Sequence, residues 1–158
     1  MSQTDAAVDL SALNAALAPY KEPDVRVSLW QLGSTAALYA CLWATMYLAY
    51  SYGRWWLALL MTPFAAGLTM RLFIIQHACG HGSFFKQNWA NDLVGRLIGV
   101  LTLTPYHYWR QTHALHHSTS GNLDHRGWGD INTLPVREYA ALSPTKRRNY
   151  RVYRSFPV

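Results

Sequence analysis

Two apolar runs, set back to back, constrain this chain more than any other feature. From Val27 to Gly53 no side chain is charged, and Trp55 to Ile75 is interrupted only by Arg71. An α-helix needs about 20 consecutive apolar residues to cross the hydrocarbon core of a bilayer, and each run has that length. Ser51-Tyr52-Gly53-Arg54 between them reads as a turn, which predicts a transmembrane hairpin with helices at about 29–50 and 55–76. The first run is not a signal peptide, because a polar stretch with four acidic residues precedes it and no small-residue cleavage site follows. A mean hydropathy of -0.05 hides this pattern by averaging a polar start, an apolar middle and a basic end.

Charge gives the hairpin a direction. Residues 1–28 carry two basic and four acidic groups, whereas Lys86 to Arg154 carry ten basic and four acidic. Short flanks rich in Lys and Arg stay on the cytoplasmic side. The region after the second helix is therefore expected in the cytoplasm, and with two crossings so is the 1–28 tail, in which Ala6 to Leu17 has the pattern of a short amphipathic helix. The basic stretch Lys146 to Arg154, with its interleaved tyrosines, is read as a juxtamembrane flank, with no nucleic-acid partner. Cys41 and Cys79 form neither a disulfide pattern nor a CxxC site, and Cys79 is expected to be a small packed side chain.

Five of the seven histidines fall in two short clusters, His77-Ala-Cys-Gly-His81 and His113-Ala-Leu-His116-His117. Residues three or four apart share a helix face, so each cluster can turn its imidazoles toward one place. Buried without partners, five such rings would be costly. Neutral imidazole suits iron, copper, zinc or nickel, whereas calcium and magnesium prefer oxygen. His77, His81, His113, His116 and His117 are thus the candidate metal ligands. His107, in the aromatic run Tyr106 to Trp109, reads as an interfacial side chain, and His125, in a polar loop, is a weak candidate.

Between the clusters, Trp89 to Leu103 has apolar residues at 89, 93, 94, 97, 98 and 101, the spacing of one helix face, with Asn91, Asp92 and Arg96 on the other. The segment is short for a span and carries Arg96, so an interfacial helix at about 89–103 is expected. That keeps both clusters on the same side of the membrane. Residues 106–158 form the expected cytosolic region: Ser118 to Asp130 reads as a loop, and Ser143-Pro144 as a helix start, with serine as N-cap and proline at the first helical position.

The two boxes, HxxxH at the end of a second apolar helix and HxxHH about thirty residues later, resemble those of the integral-membrane fatty acid desaturases, in particular the bacterial acyl-lipid type. Arg71-Leu-Phe-Ile-Ile-Gln-His77, Cys79-Gly-His-Gly-Ser-Phe-Phe85, Trp109-Arg110 and Ser120-Gly-Asn-Leu-Asp124 extend the likeness, which runs from about Trp30 onward. The resemblance implies an all-α membrane fold of four transmembrane helices with a histidine-rich cytosolic cap, of which residues 29–158 supply the hairpin, the interfacial helix and part of the cap. It implies an oxidoreductase of the bacterial inner membrane that uses O2 and two irons to put a double bond into a lipid acyl chain. His77, His81, His113, His116 and His117 become iron ligands, and an electron donor of ferredoxin or cytochrome b5 type is the implied partner. Asn122, Asp124 and Asp130 are either residues that orient ligands or turn residues.

Two departures from the family pattern stand out. Ala78 occupies a position where the family usually has Asp, and the family's third histidine box, which lies after two further membrane helices, is not in this chain. The expectation is of an N-terminal part of a desaturase, with five ligands that cannot complete a two-iron site and hence of uncertain activity alone. The alternatives are a membrane lipid or carotenoid hydroxylase with a similar histidine site, and a non-enzymatic haem- or metal-binding membrane protein.

Overall fold

The computed structural model describes residues 10–155 apart from 126, 128 and 130. Among these residues the regular structure is entirely helical: α1 (Leu10–Leu17), α2 (Val25–Ser51), α3 (Trp55–Gly80), α4 (Asn88–Leu101), α5 (Tyr106–Thr119), α6 (Val136–Ala141) and α7 (Pro144–Tyr153). The chain divides into two compact units, residues 1–110 and 111–158, and the division falls inside α5.

In the first unit, α2 and α3 pack side by side as the expected hairpin. Asp24 caps α2, its carboxylate accepting from the amides of Arg26 at 2.8 Å and Val27 at 3.4 Å. The reversal at 52–54 passes through Gly53 at φ 74°, a left-handed conformation that costs an L side chain energy and glycine none. Both helices are long and apolar enough to cross a membrane, and only 11% and 17% of their most apolar windows are buried by the protein itself. Such exposed apolar faces suit lipid or further protein as the solvent, and an all-α membrane fold follows. Both helices reach further than the hydropathy pattern alone predicts, α2 by a turn at its start and α3 by a turn at its end, where it runs on through Gly80.

The core of this unit lies toward the C-terminal end of α3, where Leu72, Ile75 and Cys79 meet Phe84, Phe85, Ile98 and Tyr106. Buried polar groups stitch it together. The Asn91 amide closes a two-bond ring with the backbone of Phe85, accepting from its N–H at 2.9 Å and donating to its carbonyl at 2.8 Å. Ser28 Oγ donates to the Phe84 carbonyl at 2.6 Å, tying the start of α2 to the loop after α3. Gln76, fully buried, accepts from Thr102 Oγ1 at 2.8 Å and donates to the Thr104 carbonyl at 3.4 Å.

On α4, Asn91, Gly95, Ile98 and Gly99 are the buried residues, while Trp89, Leu93, Leu97 and Leu101 are exposed. The helix turns small and polar residues toward α3 and its apolar row outward. Asn91, read on the side opposite the apolar row, is thus one of the buried residues. The outward row is what an interfacial helix offers to lipid.

In the second unit, Ser143 Oγ accepts from the Lys146 amide at 3.4 Å and Pro144 opens α7, as its sequence predicts. The Tyr150 and Tyr153 hydroxyls accept from the amides of Leu134 at 3.1 Å and Asn132 at 3.3 Å, fixing α7 against the preceding segment. Arg147 donates to the carbonyls of Leu142 and Ala140, and Arg151 to the Tyr139 hydroxyl, so part of the basic stretch is spent within the unit. Of the short helix expected over Ala6–Leu17, Leu10–Leu17 is helical and residues 6–9 lie outside the described residues.

Candidate metal centre

The first histidine pair sits at the end of α3. His77 is in its last turn and His81 is the C-cap, and one helical turn brings their ring centroids to 4.6 Å. The wall beside them comes from α5: the Trp109 indole lies 5.5 Å from the His77 ring and 5.4 Å from Phe73, edge to face with the latter. A Cβ on Gly80 would stand 2.6 Å from Trp109 Cζ3, so only glycine leaves room for the indole at this distance.

The second set occupies the C-terminal half of α5. His113 and His117, four residues apart, have Nε2 atoms 3.0 Å apart and ring centroids 4.5 Å apart. Two nitrogens bound to one ion at about 2.1 Å would be separated by a similar distance. His116 stacks beside His113 with centroids at 5.8 Å and planes 28° apart. One nitrogen from each of His77, His81, His113 and His117 lies within 4.8 Å of the others. Four of the five expected ligands fall in that group and His116 does not.

Of the weaker sequence candidates, Asn122 accepts from the Asp124 amide at 2.9 Å, which is the turn geometry, and Asp130 lies outside the described residues. His107 stands against Tyr106, with centroids at 5.3 Å, at the edge of an apolar hollow of about 470 Å³ between α4 and the start of α5. Cys79 is buried in the core, as expected of a packed side chain. Sequence reasoning missed Gln76, Gly80 and Trp109 as neighbours of the histidines. The one available signal was the adjacency of Gln76 to His77 and of Gly80 to His81.

An apolar hairpin, a set of imidazoles at the end of its second helix and a second set on a later helix are the features of a known class of membrane oxidoreductases. The fatty acid desaturase family profile matches residues 53–157. The chain is 45% identical over 143 residues to a fatty acid desaturase of Bacillus subtilis, covering 90% of this chain and 40% of that protein. It is 48% identical over 67 residues to an sn-1 acyl-lipid omega-3 desaturase (ferredoxin) of Nostoc, covering 42% of this chain and 18% of that one. Over 70 residues it is 43% identical to an sn-1 oleoyl-lipid 12-desaturase of Picosynechococcus, covering 44% and 20% respectively. No solved structure matches. The chain belongs to the fatty acid desaturase family, and it spans about two fifths of the length of the Bacillus relative.

Proposed function

We propose that His77, His81, His113, His116 and His117 are iron ligands and that the protein introduces a double bond into the acyl chain of a membrane lipid, with O2 as co-substrate. The observation that carries this reading is a group of four imidazoles that could hold one metal ion, two of them at the end of the second apolar helix. The donor set fits the metal: imidazole nitrogens at ligand separation, with no carboxylate among them, suit a transition metal. Iron held there supplies the oxidant that an unactivated C–H bond demands. The chain's own part is to hold and to shield. α3 and α5 fix the rings, and Trp109 and Phe73 form an apolar wall that keeps water from one side of His77. The five histidines would be this chain's contribution to a two-iron site, which needs further donors to complete it.

The substrate class and the donor follow from the relatives, several of which are named for acyl lipids and two of which are named with ferredoxin. A ferredoxin-type or cytochrome b5-type protein would deliver electrons from the cytoplasm, the side proposed for the histidines from the basic residues after α3. Residues 1–28 are proposed as a cytosolic tail and 29–158 as part of the desaturase domain.

The test is to express the full-length gene product in a host membrane that lacks its own desaturase, with ferredoxin and its reductase supplied. Bound iron and unsaturated acyl chains are then measured for wild type, His81→Ala, His116→Ala and His107→Ala. The first two substitutions are expected to lower iron and unsaturation at least tenfold, and His107→Ala to change both less than twofold. Equal losses at all three positions would overturn the ligand assignment.

A further inference from the structure

Four residues of α5 fall in one row. Tyr106, Arg110, His113 and His117 are spaced four, three and four apart, which keeps them within about 60° of one another around a helix that advances 100° per residue. Two of the four are held by a single atom of α4. Asp92 Oδ1 accepts from the Tyr106 hydroxyl at 3.2 Å and from Arg110 Nη1 at 2.9 Å. The other two are histidines of the candidate centre.

The seat beneath Tyr106 leaves little freedom for a different rotation. A Cβ on Gly95 would come within 2.2 Å of the Tyr106 ring, and one on Gly99 within 2.6 Å of the Thr104 carbonyl oxygen. The ring lies in the notch those two glycines leave and is 4% exposed. Depth along α4 is thereby set by shape, and rotation by charge, since a carboxylate shared by a hydroxyl and a guanidinium holds both donors to one azimuth.

We propose that Asp92 is a positioning residue for the metal centre, fixing through Tyr106 and Arg110 the rotation of α5 at which His113 and His117 face the ion. This rests on the metal reading above. A slip of α5 by one residue would turn the row, and both imidazoles with it, by about 100° about the helix axis. Asp92 and Arg110 are partly solvated, with side chains 30% and 44% exposed. Their role therefore separates from that of the core, where Leu72, Ile75 and Ile98 carry the packing.

The experiment uses the full chain in phospholipid nanodiscs, with cobalt(II) as the probe. Affinity and visible absorption report ligand geometry, and far-ultraviolet circular dichroism reports helix content. Wild type is expected to bind cobalt(II), and His81→Ala and His113→Ala to lose it. Asp92→Ala should keep its helix content, bind at least tenfold more weakly and show altered visible bands. The exchange of Asp92→Arg with Arg110→Asp restores the ion pair and should recover most of the affinity. Asp92→Ala binding as tightly as wild type would overturn the proposal, as would an exchange variant as weak as Asp92→Ala. Failure of wild type to bind, or unchanged binding in the two histidine variants, would overturn the metal reading itself and this proposal with it.

Discussion

The indole of Trp109 fills the space that any side chain on Gly80 would need, its Cζ3 lying 2.6 Å from where a Cβ would stand. A residue between two histidines is thus glycine for a reason that lies on another helix. Gly80→Ala is expected to push the indole off the His77 ring. Overpacking of this kind costs about 1–3 kcal/mol, so thermal unfolding should move down by several degrees and cobalt(II) affinity should fall. Pairing Gly80→Ala with Trp109→Phe, a smaller ring, should recover part of the thermal loss; no recovery would show that the contact is not what fixes this position.

Asn91 offers a second test, of a polar group in a buried place. Its amide satisfies both the N–H and the carbonyl of Phe85. Asn91→Ala would leave two buried backbone groups without partners, at about 1–3 kcal/mol for each. Asn91→Leu adds apolar bulk and should not repair the loss. Hydrogen exchange read by mass spectrometry should show the 82–90 segment opening first, and unchanged protection there would refute the role.

Alkali should reveal the Tyr106 clamp. Burial, and then the negative charge of Asp92, push the Tyr106 hydroxyl up to about 12 from its ordinary value of 10.0. The folded state therefore holds this proton more tightly than the unfolded chain does. The stability this contributes is present in full below the ordinary tyrosine value and is lost as pH rises through about 12. Unfolding followed from pH 9 to 12 should show wild type losing stability over the top of that range more steeply than Tyr106→Phe, which has no phenol to ionise. Equal slopes would contradict the clamp.

Sidedness can be tested by labelling. With Cys41 and Cys79 replaced by Ala, a single cysteine at position 52 should react with an impermeant maleimide added outside intact cells, and one at position 120 should react only after the cells are opened. Outside labelling at 120 would place the second histidine set across the membrane from the cytoplasm.

The hairpin was legible from the length and apolarity of its two runs, and the two histidine pairs and the Ser143-Pro144 helix start because each rests on contacts within one or two turns of a helix. The inward face of α4 was not. Its pattern set the apolar row apart, as an interfacial helix requires, but gave no sign that Asn91, Gly95 and Gly99 would meet the protein, because small and polar residues carry no hydrophobic signal of burial. The Asp92 contacts were hidden for another reason. Fourteen and eighteen residues separate Asp92 from Tyr106 and Arg110, across a helix end and a turn, where local periodicity carries no information.

Gln76, next to His77, is bonded to Thr102 and Thr104, and that short link has a consequence for how such a chain can change over generations. The segment from Gly82 to Tyr106 works as a gauge of set length, pinned to α3 through Gln76 and notched for Tyr106 at Gly95 and Gly99. One residue added within α4 would turn Gly99 by about 100° relative to Asn91, and no single substitution undoes a rotation. An added or lost residue in this stretch is therefore expected to cost far more than one in an exposed loop such as the one around Gly121.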